Sequence, residues 1–427
     1  MVITRPRLGR RSLLVVCLAA LSAPATAQQA DGLQAALQAA LQLNPQVASK
    51  QAAVQASEYS ADAARSQRYP SLTAQAQQYS GDNRDTSTGE DLSSPASLRA
   101  RQPLWAFGRI DNSIAFADAE VGVERGDLLR VRRQLLEQTA VAYANVLGSR
   151  QRLRVMEDNL TAHQQLHAQI RRREEGQLAS AADVRLAATR LAQARARVER
   201  HLGELEVAQS DLRALTQVAL PAEQPLAEGL REIGDDVLQS ALTNSAEVLL
   251  RRQAIERAQA GVDQARTAAM PTLYLQAEHD HDQPSYRDDT RVSLVFEGTL
   301  DGMGLATRGR TRAALAQQNA AREELAHSLN EVERNVRRLQ RNRQLQDELI
   351  QVQSESLAEL EGVLASYQRQ YAAGTKSWLD VLNIQRELSE QQLAQVQARS
   401  DRDIYSLQLA ALTGSLDALV ALNAQEF

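Results

Sequence analysis

The sequence predicts a mainly α protein with a small β part, built from two copies of a unit that pairs short strands with a long helical hairpin. Three observations predict it. After residue 27, proline occurs only at 45, 70, 95, 103, 221, 225, 271 and 284, so nothing interrupts Leu104–Leu220 or Ser285–Phe427. Proline inside a helix costs about 3 kcal/mol, so these two spans are where very long helices can form. The halves also match in order. Ala64-Arg65, Pro70 and Leu72 recur as Ala265-Arg266, Pro271 and Leu273, and Val47 as Val248; Asp183-Val184, Leu191 and Leu215-Thr216 recur as Asp380-Val381, Leu388 and Leu412-Thr413 at a slightly shorter spacing. An ordered series of this kind marks an internal repeat. Finally, each half carries two short segments that alternate apolar and polar residues.

The elements follow in chain order. Residues 1–27 are expected to be a cleaved signal peptide: Arg5, Arg7, Arg10 and Arg11 precede the apolar run Leu13–Ala20, and Ala25-Thr26-Ala27 supplies the cleavage pattern. The run is too short for a membrane-spanning helix. Arg10-Arg11 resembles a twin-arginine signal only weakly, and the general secretion route is preferred. Cys17, the one cysteine, leaves with the leader, which excludes disulfides, cysteine metal sites and cysteine nucleophiles from the mature chain. Loss of four arginines makes the chain more acidic than its formal −5, against nucleic-acid binding. No later run is apolar enough for a transmembrane helix, so any crossing must use strands closed into a barrel.

The first repeat, 28–218, should hold a leading helix, strands about 71–79 and 94–104, and long helices about 110–174 and 182–217. Leu72, Ala74 and Ala76 alternate with Thr73, Gln75 and Gln77, and Leu98, Ala100 and Leu104 with Ser97, Arg99 and Arg101. A connector, 219–236, carries Pro221, Pro225, Gly229 and Gly234. The second repeat, 237–427, repeats the plan with a helix, strands about 272–279 and 290–300, long helices about 311–372 and 377–414, and a tail. The links Ser80–Ser94 and Asp280–Thr290 are polar, as exposed loops are. Leu345, Leu349, Val352, Leu357, Leu360 and Leu364 keep the three-and-four spacing of a coiled-coil seam. A helix of about 60 residues is about 90 Å long. Strands of this length fit a transmembrane barrel, but a closed bacterial barrel needs about eight of them, so several chains must pool theirs.

The second helical turn, Tyr371-Ala372-Ala373-Gly374-Thr375-Lys376-Ser377-Trp378-Leu379-Asp380-Val381-Leu382-Asn383, closely resembles the equivalent turn of the TolC family of outer-membrane export ducts. Glu175-Gly176-Gln177-Leu178 leading to Ala182-Asp183-Val184 is similar to that family's other turn, and Pro70, Pro271, Pro103-Leu104-Trp105 and Gly108-Arg109 fit its strand borders. The resemblance implies a homotrimer with one twelve-stranded outer-membrane barrel and a periplasmic α-helical tunnel. A belt of small elements (Ala219–Leu242 plus the tail) would surround the tunnel, and the partners would be a periplasmic adaptor (a membrane fusion protein), an inner-membrane pump or ABC transporter, and outer-membrane lipid.

By motif position, the resemblance also implies a gate made by Asp183 with Tyr371 and Lys376, one of only two lysines in the chain. Asp380 would line the periplasmic entrance ring; Asn383 stands where a second ring acid is expected, which would halve that ring's charge. Gly176, Leu178, Gly374 and Thr375 would contact the adaptor. Each has a simpler structural alternative: first-turn acids complement a helix dipole, and glycines serve tight turns. Trp378 is assigned to the helix seam. Trp105 and Phe107, at a strand end, suit the membrane belt. His279, Asp280, His281 and Asp282 look like a metal cluster but lack further ligands and fit a solvated loop better. No catalytic set, metal site or cofactor motif emerges. The function expected is a passive gated conduit from periplasm to exterior for small-molecule efflux. The alternatives are the same duct in type I protein secretion, or a non-channel periplasmic coiled-coil scaffold or adaptor.

Overall fold

The computed structural model describes residues 32–77, 96–227, 236–282, 287–299 and 301–422. The expected leader, the link Ser80–Ser94, Gly229 and Gly234 of the connector, Pro284 and Phe427 lie outside these residues. The first copy runs α1 (Gly32–Leu43), α2 (Pro45–Arg65), β1 (Ser71–Ala76), β2 (Ala96–Trp105), α3 (Arg109–Glu175) and α4 (Ala181–Thr216). The second runs α5 (Val237–Asn244), α6 (Ala246–Thr267), β3 (Thr272–Asp282), β4 (Arg287–Glu297), α7 (Leu305–Ala372) and α8 (Trp378–Thr413). The two longest helices have 67 and 68 residues, or about 100 Å each at 1.5 Å per residue. No described helix is long and apolar enough to cross a membrane.

Two boundaries and one packing face differ from expectation. α7 starts at Leu305 rather than near Thr311, because left-handed Gly304 (φ 86°), the last residue of the 3-10 turn Asp301–Gly304, caps it. β3 runs to Asp282 and β4 begins at Arg287, so His279–Asp282 belong to a strand instead of a loop. The predicted α7 seam splits: Leu357 and Leu364 are buried, whereas Leu345, Leu349 and Val352 are exposed. In that upper part α7 meets α8 through polar side chains, Arg343 Nε donating to Ser406 Oγ (3.1 Å) and Gln395 Nε2 to Ser354 Oγ (2.8 Å). The leucines are left on another face.

The strands form one antiparallel sheet in the order β1-β2-β3-β4, with β1 and β4 at open edges. The register aligns Leu72 with Ala100, Ala100 with Ala277 and Ala277 with Val292. One face therefore gathers Leu72, Leu98, Leu275, Val292, Leu294 and Phe296, all exposed. The opposite face is polar, and among the described side chains it carries the pairs Arg99 with Glu278, Arg101 with Glu297 (3.0 Å) and Arg291 with Asp280. Period-two alternation makes this division, since successive side chains point to opposite faces.

The largest core lies midway along the long helices. Leu37 of α1, Leu136 and Tyr143 of α3, Leu212 of α4 and Leu407 of α8 pack with Leu226 of the connector and Leu416 of the 3-10 turn Ser415–Val420. Burying each such leucine contributes about 1.5–3 kcal/mol. The Tyr143 hydroxyl donates to the Gln224 carbonyl (2.9 Å) and so fastens the connector. Arg133 donates from Nη2 (2.7 Å) and Nε (2.9 Å) to Asp417 Oδ2, joining the first copy's longest helix to the end of the second copy.

Candidate functional site at the helical turns

The two hairpin turns are the same motif. In the first, the Leu178 amide donates to the Arg173 carbonyl (2.7 Å) and Gln177 to Glu174 (2.8 Å). In the second, Thr375 donates to Gln370 (3.0 Å) and Gly374 to Tyr371 (3.0 Å). Both are Schellman closures, which need a left-handed residue just past the helix. Gly374 supplies it in the second turn (φ 78°), but in the first it is Gln177 (φ 60°), not Gly176 (φ −87°). The expectation that Gly176 provides the turn geometry is corrected: the repeat's register pairs Gly374 with Gln177. Thr375 Oγ1 also donates to the Gln370 carbonyl (3.1 Å), so its hydroxyl closes its own turn.

The return helices begin with serine caps. Ser180 caps α4 in a full capping box with Asp183: Ser180 Oγ accepts from the Asp183 amide (3.1 Å), and Asp183 Oδ2 accepts from the Ser180 amide (3.0 Å) and hydroxyl (2.7 Å). Ser377 caps α8 by accepting from the Leu379 amide (3.2 Å), with Asp380 in the first turn. Each acid thus fills a first-turn structural place.

The predicted gate set is not assembled within one chain. The free oxygen of Asp183 accepts from Trp378 Nε1 (3.0 Å) rather than from Tyr371 or Lys376. The Ser180 hydroxyl, then the Ser180 amide and Trp378, hold the Asp183 carboxyl below the usual carboxylate range. Tyr371 is buried, with the Arg173 guanidinium 4.5 Å from its ring centre and Arg173 Nη1 donating to its carbonyl (3.2 Å). Lys376 Nζ sits 4.3 Å over the ring of Tyr367. Lys376 has thus found an aromatic partner within its own hairpin, and Tyr371 a guanidinium from the other. The sequence reading does not single out Arg173 or Tyr367, because Arg173 acts through packing between the hairpins and Tyr367 through the way its own turn folds back.

Trp378 is buried, as its assignment to the seam requires, in a cluster with Ile170, Leu364, Tyr371, Val381 and Leu382. Its indole N–H, which needs a partner when buried, is what ties the second turn to Asp183 of the first. Asn383 is exposed and Asp380 half-buried. Leu178 is 76% exposed on the rim of an open groove of about 510 Å³ that also takes in Tyr371, Val381, Arg172, Arg173 and Gln385. His163 lines the same groove; burial first, then Arg197 and Arg190, lower its pKa.

At the far end of the helices, Trp105 is 62% exposed and its ring meets Phe107 edge-on at 6.1 Å; Phe107 meets Phe296 at 6.3 Å. The predicted belt pair therefore joins the apolar face of the sheet. His279 Nδ1 lies 2.9 Å from Thr290 Oγ1 across the β3–β4 pair. Among the described residues no group of three or more His, Cys, Asp or Glu is placed to hold a metal.

Known proteins share this architecture. The family model "Outer membrane efflux protein" matches residues 36–217 and again 237–415, one match per repeat. BepC, an outer membrane efflux protein of Brucella suis biovar 1 (strain 1330), is 25% identical over 354 residues, covering 75% of this chain and 72% of its own. The crystal structure of CusC superposes with a TM-score of 0.78 at 18% identity, covering 90% of this chain and 92% of that one. The open state of the Neisseria gonorrhoeae MtrE outer membrane channel gives 0.74 at 18% identity, over 90% and 89%. A duplicated family match across paired strands and two long hairpins sets aside a free periplasmic scaffold: the chain belongs to the outer membrane efflux protein family, the TolC-like ducts of the outer membrane.

Proposed function

We propose that three copies of this chain close one twelve-stranded barrel in the outer membrane and a continuous helical tunnel beneath it. The assembly acts as a passive gated conduit for small molecules. The observation that carries this is the sheet: four strands with two open edges, one face apolar and the other charge-paired. Such a sheet is stable in lipid only if its edges are joined and its polar face turned to a lumen. The flanking helices have matching needs, since Leu202 and Val207 of α4 and Leu345, Leu349 and Val352 of α7 are exposed along the outer hairpin members. A neighbouring copy would cover them.

Energy would come from an inner-membrane pump, with a periplasmic adaptor seated at the groove beside Leu178, Gly176, Gly374 and Thr375. Efflux rather than type I protein secretion is preferred because the curated relative is itself described as an efflux protein. In the closed tip, Asp183 anchored by Trp378 holds the first turn against the second, while Tyr371, packed under Arg173, backs Lys376, which faces the adjoining subunit, and Asp380 with Asn383 rings the entrance. The test is oligomer mass in detergent together with single-channel conductance. A trimer whose closed-state conductance rises in Asp183→Ala is expected; a stable monomer would refute the duct, and an unchanged closed state would refute the gate.

A further inference from the structure

Both elbows leading from the sheet into a long helix use one backbone device. Phe107-Gly108 before α3 and Met303-Gly304 before α7 are left-handed pairs, with φ of 49° and 82°, and of 58° and 86°. That region disfavours large side chains, yet Phe and Met occupy it. Phe107 packs on Trp105 and Phe296, so the first elbow continues the apolar face of the sheet. In the second elbow Met303 is 88% and the adjoining Leu305 70% exposed.

Past the elbows the copies diverge. α3 has Asp111 in its first turn, and Arg109 at its start donates to Thr272 Oγ1 (2.9 Å). α7 has no acid in its first turn and reads Leu305-Ala306-Thr307-Arg308-Gly309-Arg310-Thr311-Arg312. Arg308 closes the first turn, where a cation opposes the helix dipole, and Arg310 and Arg312 follow in the next turn with no acid among them. Arg310 is 3.8 Å from Asp301, but Arg308 and Arg312 have no partner among the described residues. Leu305, Arg308 and Arg312 stand at helical spacings of three and four, which puts them on one face.

We propose that this elbow binds the headgroup of an anionic phospholipid in the leaflet facing the periplasm. Met303 and Leu305 enter the acyl boundary, and Arg308 and Arg312 take the phosphate oxygens. The arrangement follows interfacial anchors in general: apolar side chains enter the membrane and arginine forks hold phosphate just outside it. The elbow ahead of α3, with its acid and its occupied arginine, lacks the second half. The proposal rests on the outer-membrane barrel, and its test separates the two.

The chain's only cysteine, Cys17, lies in the expected leader, so single cysteines can be introduced cleanly. Nitroxides at Met303→Cys and, as a barrel control, Val292→Cys are measured in the full-length oligomer in vesicles of phosphatidylethanolamine with phosphatidylglycerol. Both are expected to be more accessible to oxygen than to a water-soluble nickel chelate. Native mass spectrometry should show phosphatidylglycerol retained by the wild-type oligomer and lost in Arg308→Gln/Arg312→Gln of the same mass. A water-like Met303 beside a lipid-like Val292, or unchanged retention in the double variant, overturns the lipid site alone. A water-like Val292 overturns the barrel and the site with it.

Discussion

Removing one partner of the buried ion pair between Arg133 and Asp417 should release the end of the chain from the tunnel wall. Their side chains are only 7% and 8% exposed, Asp417 Oδ2 accepts two guanidinium hydrogen bonds, and Oδ1 has no partner among the described residues. Burial already raises the Asp417 pKa, against the lowering effect of Arg133. In Arg133→Met the carboxyl must either stay charged without a partner or take up a proton. Forcing a carboxyl of ordinary pKa to be neutral at pH 7 spans about three pK units, or about 4 kcal/mol at 1.36 per unit. Breaking a buried pair typically costs about 3–5 kcal/mol, so the two routes agree. Because the folded state favours the protonated form, the penalty is absent below the unfolded carboxylate pKa and grows as pH rises towards the folded value. The assay is hydrogen exchange at the Asp417 and Leu422 amides, which donate to the Gly414 and Asp417 carbonyls (3.1 and 3.0 Å). Where local opening governs exchange, protection should fall by about a thousand-fold at pH 7 and far less at pH 4.5. Arg133→Met/Asp417→Leu should recover most of it. Unchanged protection in the single variant, or an equal loss at both pH values after intrinsic correction, would refute the reasoning.

Other outcomes follow from the tip. Gly374→Ala should cost about 1 kcal/mol and Gln177→Gly should stabilise its turn by roughly 0.5–1 kcal/mol, read as opposite changes in proteolysis rate at the two turns. Trp378→Phe keeps a six-membered aromatic ring in the cluster but removes the pyrrole N–H that donates to Asp183, so the closed-state conductance should rise as in Asp183→Ala while the fold persists by circular dichroism. The depressed Asp183 pKa means its capping box is intact above the unfolded carboxylate range and lost as pH falls through the lower folded value; Asp183→Asn should abolish that acid response of the α4 amides. His163, held neutral, should likewise cost the tip stability as pH falls below the ordinary histidine range, and His163→Gln should remove the dependence.

Much of the fold was legible because its signals are local. Proline-free spans and period-two alternation are written residue by residue, and the duplication let Pro70 and Pro271 confirm each other. The turns were legible only as turns. Their register depends on which carbonyl accepts the closing bond, Arg173 rather than a neighbour, and Arg173 is placed by stacking on Tyr371 across the hairpins. The left-handed conformation of Gln177 is marked only by the repeat's offset, which aligns it with Gly374, and a glycine one position earlier misdirects. The bond from Trp378 to Asp183 joins residues far apart in the chain, although a buried indole's need for an acceptor was a usable hint. The exposed Leu345, Leu349 and Val352 are hidden for another reason: periodicity reports an apolar face without saying which neighbour covers it.

The open edges of the four-stranded sheet also bear on how such a protein is made. A newly exported chain would carry two rows of unpaired backbone donors and acceptors beside an apolar surface, the combination that drives strands to aggregate. In the trimer proposed above, its safe lifetime alone in the periplasm would be set by how fast it meets two more copies, which would make that encounter strongly concentration-dependent. Escort factors that cover strand edges would be needed most by this part of the chain, while the hairpins, held by contacts near in sequence, can fold ahead of it. Slow expression should then yield more functional duct than fast expression of the same total protein.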